Sequence, residues 1–198
     1  KIRLVWDAAA HFAGMSLNKE LQVGPDLLEP LWNLLFRFRQ HAIALCGDIS
    51  EMFHQIEVNP EDQPSQRFVW RWGPNKPLQI FQMTVMTFGA ACSPAIAQYV
   101  KNRNAEDHRK HFQEEADAII KNHYVDDWLQ SCETEEELIQ LARDVIEVQK
   151  AAGFKLHKWA SNSQKVLESL PTKKTELQQV PLTSSSKALG MGWNVNHD

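Results

Sequence analysis

The sequence predicts an α+β fold, with an antiparallel sheet backed by helices. Three observations carry this. Short apolar runs that suit strands alternate irregularly with amphipathic stretches that suit helices. Two of the short runs are joined by a turn rich in Gly and Pro, which makes a hairpin rather than a parallel crossover. The chain has 198 residues, 43% hydrophobic and 23% charged. That is enough for one domain, or for two small lobes sharing a core.

Residues 25–39 read as a helix. Asp26 sits in its first turn, and Leu27, Leu28, Leu31, Trp32, Leu34, Leu35 and Phe38 form a wide apolar face. Pro30 falls early enough for its missing N–H to be tolerated. Residues 41–49 suit a buried strand better than a helix. Residues 55–58 read as another short strand, closed by the turn signal Asn59-Pro60-Glu61-Asp62. Residues 67–72 and 78–83, separated by Gly73-Pro74-Asn75-Lys76-Pro77, make a β-hairpin with a long tip. Ser93-Pro94 opens a helix, as N-cap serine and first-turn proline. Residues 124–130 read as a tight strand pair around two aspartates. Thr134 and Glu137 form a capping box, opening a helix with Leu138, Leu141, Ala142, Val145 and Ile146 on its apolar face. Gly153 ends it. Residues 154–159 read as a strand, 172–186 as a polar loop, and 189–195 as a final strand containing Gly190 and Gly192.

Composition excludes several classes. No apolar run approaches the ~18–20 residues that span a bilayer, so no membrane partner is expected. Residues 1–10 lack the apolar core of a signal peptide. A chain opening on Lys1 reads as a fragment or a processed product. Cys46, Cys92 and Cys132 are far apart, with no CxxC pair. This supports neither a disulfide framework nor a zinc site, and fits a reducing compartment. A net charge of −4 argues at first sight against a nucleic-acid partner. Six acids against one base lie within 133–148, however, so the rest of the chain is nearly neutral. An acidic outer helix can coexist with a basic cleft.

Three carboxylates stand out. Asp48 ends the buried run Ile43-Ala44-Leu45-Cys46-Gly47, and Asp126-Asp127 sit between Tyr124-Val125 and Trp128-Leu129. Adjacent aspartates in an apolar strand repel each other and resist burial. Taken alone, Tyr124-Val125-Asp126-Asp127 is slightly better read as a plain hairpin turn, where Asp is common. Asp48 shifts the weighing, because its strand and that hairpin could lie side by side and bring three acids to one spot. Oxygen ligands of this kind suit Mg²⁺, and two such ions clamp the attacking and leaving oxygens in phosphoryl transfer.

The motifs, in order, resemble the fingers and palm of a reverse transcriptase, specifically of BEL/Pao-type LTR retrotransposons. The likeness runs over residues 1–196. Lys1-Ile2-Arg3-Leu4-Val5-Trp6-Asp7 resembles the fingers strand carrying a triphosphate-binding arginine. Ser16-Leu17-Asn18 and Gly24-Pro25-Asp26-Leu27-Leu28 resemble the segment before the palm. Asp48-Ile49-Ser50-Glu51-Met52-Phe53-His54-Gln55-Ile56 resembles the first palm motif, and Phe88-Gly89-Ala90-Ala91-Cys92-Ser93-Pro94 the second. Tyr124-Val125-Asp126-Asp127 is the third, Gly153-Phe154-Lys155-Leu156-His157-Lys158-Trp159 the fourth, and Leu189-Gly190-Met191-Gly192-Trp193 the fifth, the primer-grip hairpin. Each alone is weak; five in order are a strong signal.

The resemblance implies a right-hand polymerase fold without its thumb. Residues 1–20 and 56–93 would be mainly fingers, 21–55 and 94–187 mainly palm, and 188–198 a primer-grip-like strand. It implies RNA-directed DNA polymerisation. Asp48, Asp126 and Asp127, with the Ile49 carbonyl, would hold two Mg²⁺ ions, or Mn²⁺. Arg3, Phe53, Gly89 and Lys158 would bind the dNTP, with Phe53 as the gate against a 2′-OH. Tyr124, Leu189, Gly190, Met191, Gly192 and Trp193 would touch primer or template. The implied partners are an RNA or DNA template-primer, dNTPs, and the rest of a Pol polyprotein: thumb, RNase H, integrase and protease. A cytoplasmic virus-like particle is the implied location. Thr87-Phe88-Gly89 stands where many retroviral enzymes have Pro-Gln-Gly, so the glutamine contact to template and sugar is not carried over. The alternative is an inactive relic or domesticated fold that only binds nucleic acid or protein. A metal-dependent nuclease lacks the extra carboxylate and base histidine it would want. His108 and His111 read as surface histidines. Trp70 and Trp72 share a strand face and could stack on template bases; packing against a helix is the favoured reading.

Overall fold

The computed structural model describes residues 5–171, 186–188 and 191–193. In chain order the elements are α1 (Leu17–Glu20), α2 (Leu31–Phe38), β1 (Ile43–Ile49), β2 (Arg67–Trp70), β3 (Gln79–Gln82), α3 (Ser93–His108), α4 (Gln113–Lys121), β4 (His123–Tyr124), β5 (Asp127–Cys132), α5 (Glu135–Ala151), β6 (Leu156–Ser161), α6 (Gln164–Ser169), β7 (Ser186–Ala188) and β8 (Met191–Trp193). The contacts divide the chain into two units. One comprises Lys1–Asp26 with Glu51–Ala97, the other Leu27–Ser50 with Gln98–Asp198.

The second unit holds a four-stranded antiparallel sheet in the order β4-β5-β1-β6. Its strands are short apolar runs whose successive side chains point to opposite faces. On one face Leu34 and Phe38 of α2 pack on Ala44 and Leu129. On the other, Trp128 is fully buried and stacks on His123, which Gln149 of α5 approaches. The buried side of α5 is Leu138, Ala142, Val145, Val148 and Gln149, close to the expected stripe. Its capping box is present, with the Thr134 hydroxyl accepting from the Glu137 N–H and the Glu137 carboxylate accepting from the Thr134 N–H.

The first unit is built around the hairpin of β2 and β3, which pairs Arg67 with Gln82 and Phe68 with Phe81. Asn18 of α1 fastens the loop before α3, donating to the Gly89 carbonyl at 3.0 Å and accepting from the Ala91 N–H at 2.8 Å.

Several expectations are corrected. The helix expected over 25–39 begins only at Leu31, because Pro30 takes an extended conformation (φ −53°, ψ 128°) and starts the helix rather than lying within it. Trp32 stays exposed on it. Residues 55–58 form no strand: a 3-10 turn covers Met52–Gln55, and only Glu57 bridges to Val85. The Ser93 hydroxyl does not cap α3 but donates to the Thr87 carbonyl at 2.7 Å. Residues 5–7 are not in a strand. Helices α4 and α6 were not anticipated. The polar segment over 172–186 ends in β7, and its residues 172–185 lie outside the described set.

Candidate active site

The site is built from β1 and its two neighbours. Partners in an antiparallel pair project to the same face, so Asp48 shares a face with its partner Asp127, as Cys46 does with Leu129. This face is apolar where α2 covers it and acidic at its other end. Asp126 stands in the two-residue turn, Val125-Asp126, that joins β4 to β5.

That turn is strained. Val125 has φ +55°, an outlier for a β-branched residue. It holds the first central position, where a type II′ hairpin turn ordinarily has Gly. Two hydrogen bonds hold it there. Buried Gln98 donates to the Val125 carbonyl at 3.1 Å. The Ile49 N–H donates to the Asp126 carbonyl at 2.8 Å, tying the turn to the residue after Asp48.

On the other side of β1 the register slips. Cys46 pairs with Ala160 and Asp48 with His157, so Lys158 and Trp159 together oppose Gly47. This is a β-bulge, and it re-aims a side chain. Lys158 takes φ +54°, and its Nζ lies 2.6 Å from Asp48 Oδ1. His157 Nε2 lies 3.2 Å from Asp48 Oδ2. Gly47 makes room for the Trp159 ring: a Cβ there would meet ring carbon Cζ3 at 2.5 Å.

The electrostatics follow from this crowding. Burial, then the charges of Asp126 and Asp48, push the Asp127 carboxyl up to about 6, with Lys158 opposing. Burial pushes the Cys46 thiol well up, leaving it protonated and no nucleophile. Carboxylate oxygens are the hard donors that Mg²⁺ takes. Repulsion of the kind that lifts Asp127 is relieved by a divalent cation, and Lys158 already stands on Asp48 as a counter-cation. The donors therefore fit Mg²⁺ in kind. Among the described residues no group of three or more His, Cys, Asp or Glu side chains is gathered to hold a metal ion alone. Mg²⁺ ordinarily draws further ligands from water and substrate phosphates.

The remaining expected residues are placed as follows. Tyr124 is half-buried and packs against the cluster of Leu34, Phe38, Ala44 and Leu129. Phe53 lies in the 3-10 turn of the first unit, its ring 4.8 Å from that of Phe88. Gly89 has φ +109°, and a Cβ there would lie 2.0 Å from the Trp6 carbonyl oxygen. The chain's own packing thus already requires glycine there. Met191, Gly192 and Trp193 form β8, paired with β7. Arg3, Leu189 and Gly190 lie outside the described residues. Sequence reading missed Gly47, His157 and Gln98 as site builders. Gly47 interrupting a strand was the available signal; a bulge partner and a turn-holding glutamine leave none.

Residues 8–167 match the family described as reverse transcriptase (RNA-dependent DNA polymerase). The chain belongs to the reverse transcriptase family. Its fold resembles that of a foamy viral protease-reverse transcriptase dRH solved in complex with ds DNA, with a TM-score of 0.58 and 20% identity, covering 78% of this chain and 23% of that one. A foamy viral protease-reverse transcriptase solved in complex with an RNA/DNA hybrid gives 0.48 and 20%, covering 71% and 17%. The reverse transcriptase chain described here thus spans less than a quarter of either. No curated protein matches it.

Proposed function

We propose that this chain is the fingers and palm of an RNA-directed DNA polymerase that adds dNTPs to a primer 3′-OH, within the Pol polyprotein of a BEL/Pao-type element. The observation that carries this is the register that puts Asp48 opposite Asp127, with Asp126 in the adjoining turn, in a chain of this family. In this reading residues 1–20 and 56–93 would be mainly fingers, 21–55 and 94–187 mainly palm, and 188–198 a primer-grip-like strand.

Asp48, Asp126 and Asp127, with the Ile49 carbonyl, are the residues that would hold Mg²⁺ or Mn²⁺. Two such ions, when bound, neutralise triphosphate charge and favour loss of the 3′-OH proton. The carboxylates fix where the primer end and the α-phosphate meet. Arg3 would pair with the triphosphate through its guanidinium. Phe53 would stack under the sugar and exclude a 2′-OH, so Phe53→Ala is expected to admit rNTPs. An unchanged dNTP/rNTP ratio would remove Phe53 from that role. Gly89 would let the nucleotide approach the backbone. Lys158 would give a proton to pyrophosphate or line the cleft. Tyr124 and residues 189–193 would contact primer or template.

The second reading, a fold that binds nucleic acid or protein without catalysis, draws on one observation: Lys158 and His157 already partner both Asp48 oxygens. Primer extension on oligo(rA)–oligo(dT) with Mg²⁺ and dNTPs separates the two. Extension lost in Asp126→Asn supports the polymerase. Template binding without extension supports the second reading. Extension that persists in the variant contradicts the assigned carboxylates.

A further inference from the structure

Two features away from the carboxylates depart from expectation. Trp70 and Trp72 stay exposed on the hairpin instead of packing against a helix. The other departure is internal to the second unit. Lys101, His123 and Gln149, from α3, β4 and α5, are each no more than 1% exposed.

Their hydrogen bonds lead to one acceptor. The Ile119 carbonyl is among the last four of α4, which have no partner within the helix. Lys101 Nζ donates to it at 3.2 Å and His123 Nδ1 at 2.9 Å. Gln149 Nε2 donates in turn to His123 Nε2 at 3.4 Å. The set is not saturated. Gln149 Oε1 and Trp128 Nε1 are buried with no hydrogen-bond partner among the described residues. Polar groups buried this way lower stability, so their presence asks for a reason other than stability.

That reason lies along α3. Gln98 and Lys101 stand three residues apart on one buried face of this helix. Gln98 holds the Val125 carbonyl at 3.1 Å, and Lys101 holds the Ile119 carbonyl. One helix face thus grips residues 119–125 at both ends: the last turn of α4, all of β4, and the first residue of the turn. Asp126 follows directly. Val125 at φ +55° is held against its preference, and such strain persists only where the surroundings over-determine it. The bond from Gln98 fixes one atom and leaves the segment free to pivot about it. The grip of Lys101 removes that freedom.

We infer that Lys101 is a positioning residue for Asp126: it holds the joint between α4 and β4 on α3, and so fixes the turn that carries this carboxylate. Its effect on the turn stands whatever Asp126 does. Its effect on catalysis rests on the proposed polymerase function.

Hydrogen exchange at the Ile49 amide, followed by NMR, tests the inference, because this N–H donates to the Asp126 carbonyl. Methionine at 101 keeps the length of the side chain and removes the donor. Lys101→Met is expected to resist denaturant better than wild type, since a buried amine has gone. It is nonetheless expected to exchange at Ile49 about tenfold or more faster. A gain in global stability slows exchange through unfolding, so faster exchange at Ile49 reports the turn itself. Lys101→Gln, which restores an N–H donor, is expected to recover part of the protection. Primer extension by Lys101→Met is expected to lose kcat, with the KM for dNTP little changed. Ile49 exchange that is unchanged or slower in both Lys101 variants overturns the proposal, as does faster exchange spread evenly over β1, β5 and β6. Absence of extension by wild type would count against the polymerase function and leave the exchange result to decide on Lys101.

Discussion

Asp127 is held at about 6 by its surroundings, against 3.8 when free of them. Between those values the folded state binds the proton more readily than the unfolded one, so stability falls as pH rises through this window. Above about 6 the whole penalty is present. Asp127→Asn removes it. Denaturant melts are expected to show a gain of about 1 kcal/mol near pH 7.5, after allowance for solvent screening, and no gain near pH 3.5. Lys158 is the second informative residue. A left-handed backbone costs a non-glycine residue about 1–2 kcal/mol, and an ion pair whose lysine is 57% exposed returns less than about 1. Lys158→Gly is therefore expected to melt at the same denaturant concentration or slightly higher. It is also expected to bind Mn²⁺ more tightly, because a competing cation has left Asp48. Weaker Mn²⁺ binding would mean that Lys158 orients Asp48 instead. The three aspartates were legible in the sequence because charge inside an apolar run demands a reason. The pairing of Lys158 and His157 with Asp48 was not, because it depends on a one-residue slip in register.

Among the elements, the β4–β5 turn holds the most strain. Val125→Gly is expected to raise stability by about 1 kcal/mol in urea melts, since strain relief outweighs the added freedom of the unfolded glycine. A loss of stability would show that the Val125 side chain contributes packing worth more than the strain. The hairpin over 67–82 and the start of α5 were readable because their signals are local: a Gly/Pro tip and a capping box. Helix α2 was mis-bounded because Leu27 and Leu28 continue the apolar period past Pro30, and periodicity does not register a backbone break. Residues 55–58 look like a strand by composition but find only a single bridge, at Glu57. Tertiary pairing, not propensity, decides such cases.

Across the whole molecule, the fold class was the most legible feature, since irregular alternation with a hairpin already pointed to an antiparallel sheet. The polar interior of the second unit was not. Lys101 is 1% exposed, its Nζ donating to the Ile119 carbonyl at 3.2 Å, and burial lowers it to about 7. His123 shares that carbonyl and is held neutral by burial and by Lys101. A lysine in a mixed helix gives no sequence sign of burial. Because the unfolded lysine keeps its proton up to about 10.5, the unfolded state binds more protons between about 7 and 10.5, and stability rises with pH there. Lys101→Met is expected to stabilise the unit by about 2 kcal/mol near neutral pH and to flatten that rise. A variant less stable at every pH would show that the ammonium contributes more than its burial costs.

The proposed polymerase function requires Asp48, Asp126 and Asp127 to form a divalent-cation site for nucleotide chemistry. Mn²⁺ titration followed by electron paramagnetic resonance, with a dNTP and template-primer present, tests it most directly. Wild type is expected to bind Mn²⁺ at least about tenfold more tightly than Asp48→Asn or Asp126→Asn. Equal binding by wild type and both variants would remove these carboxylates from that role.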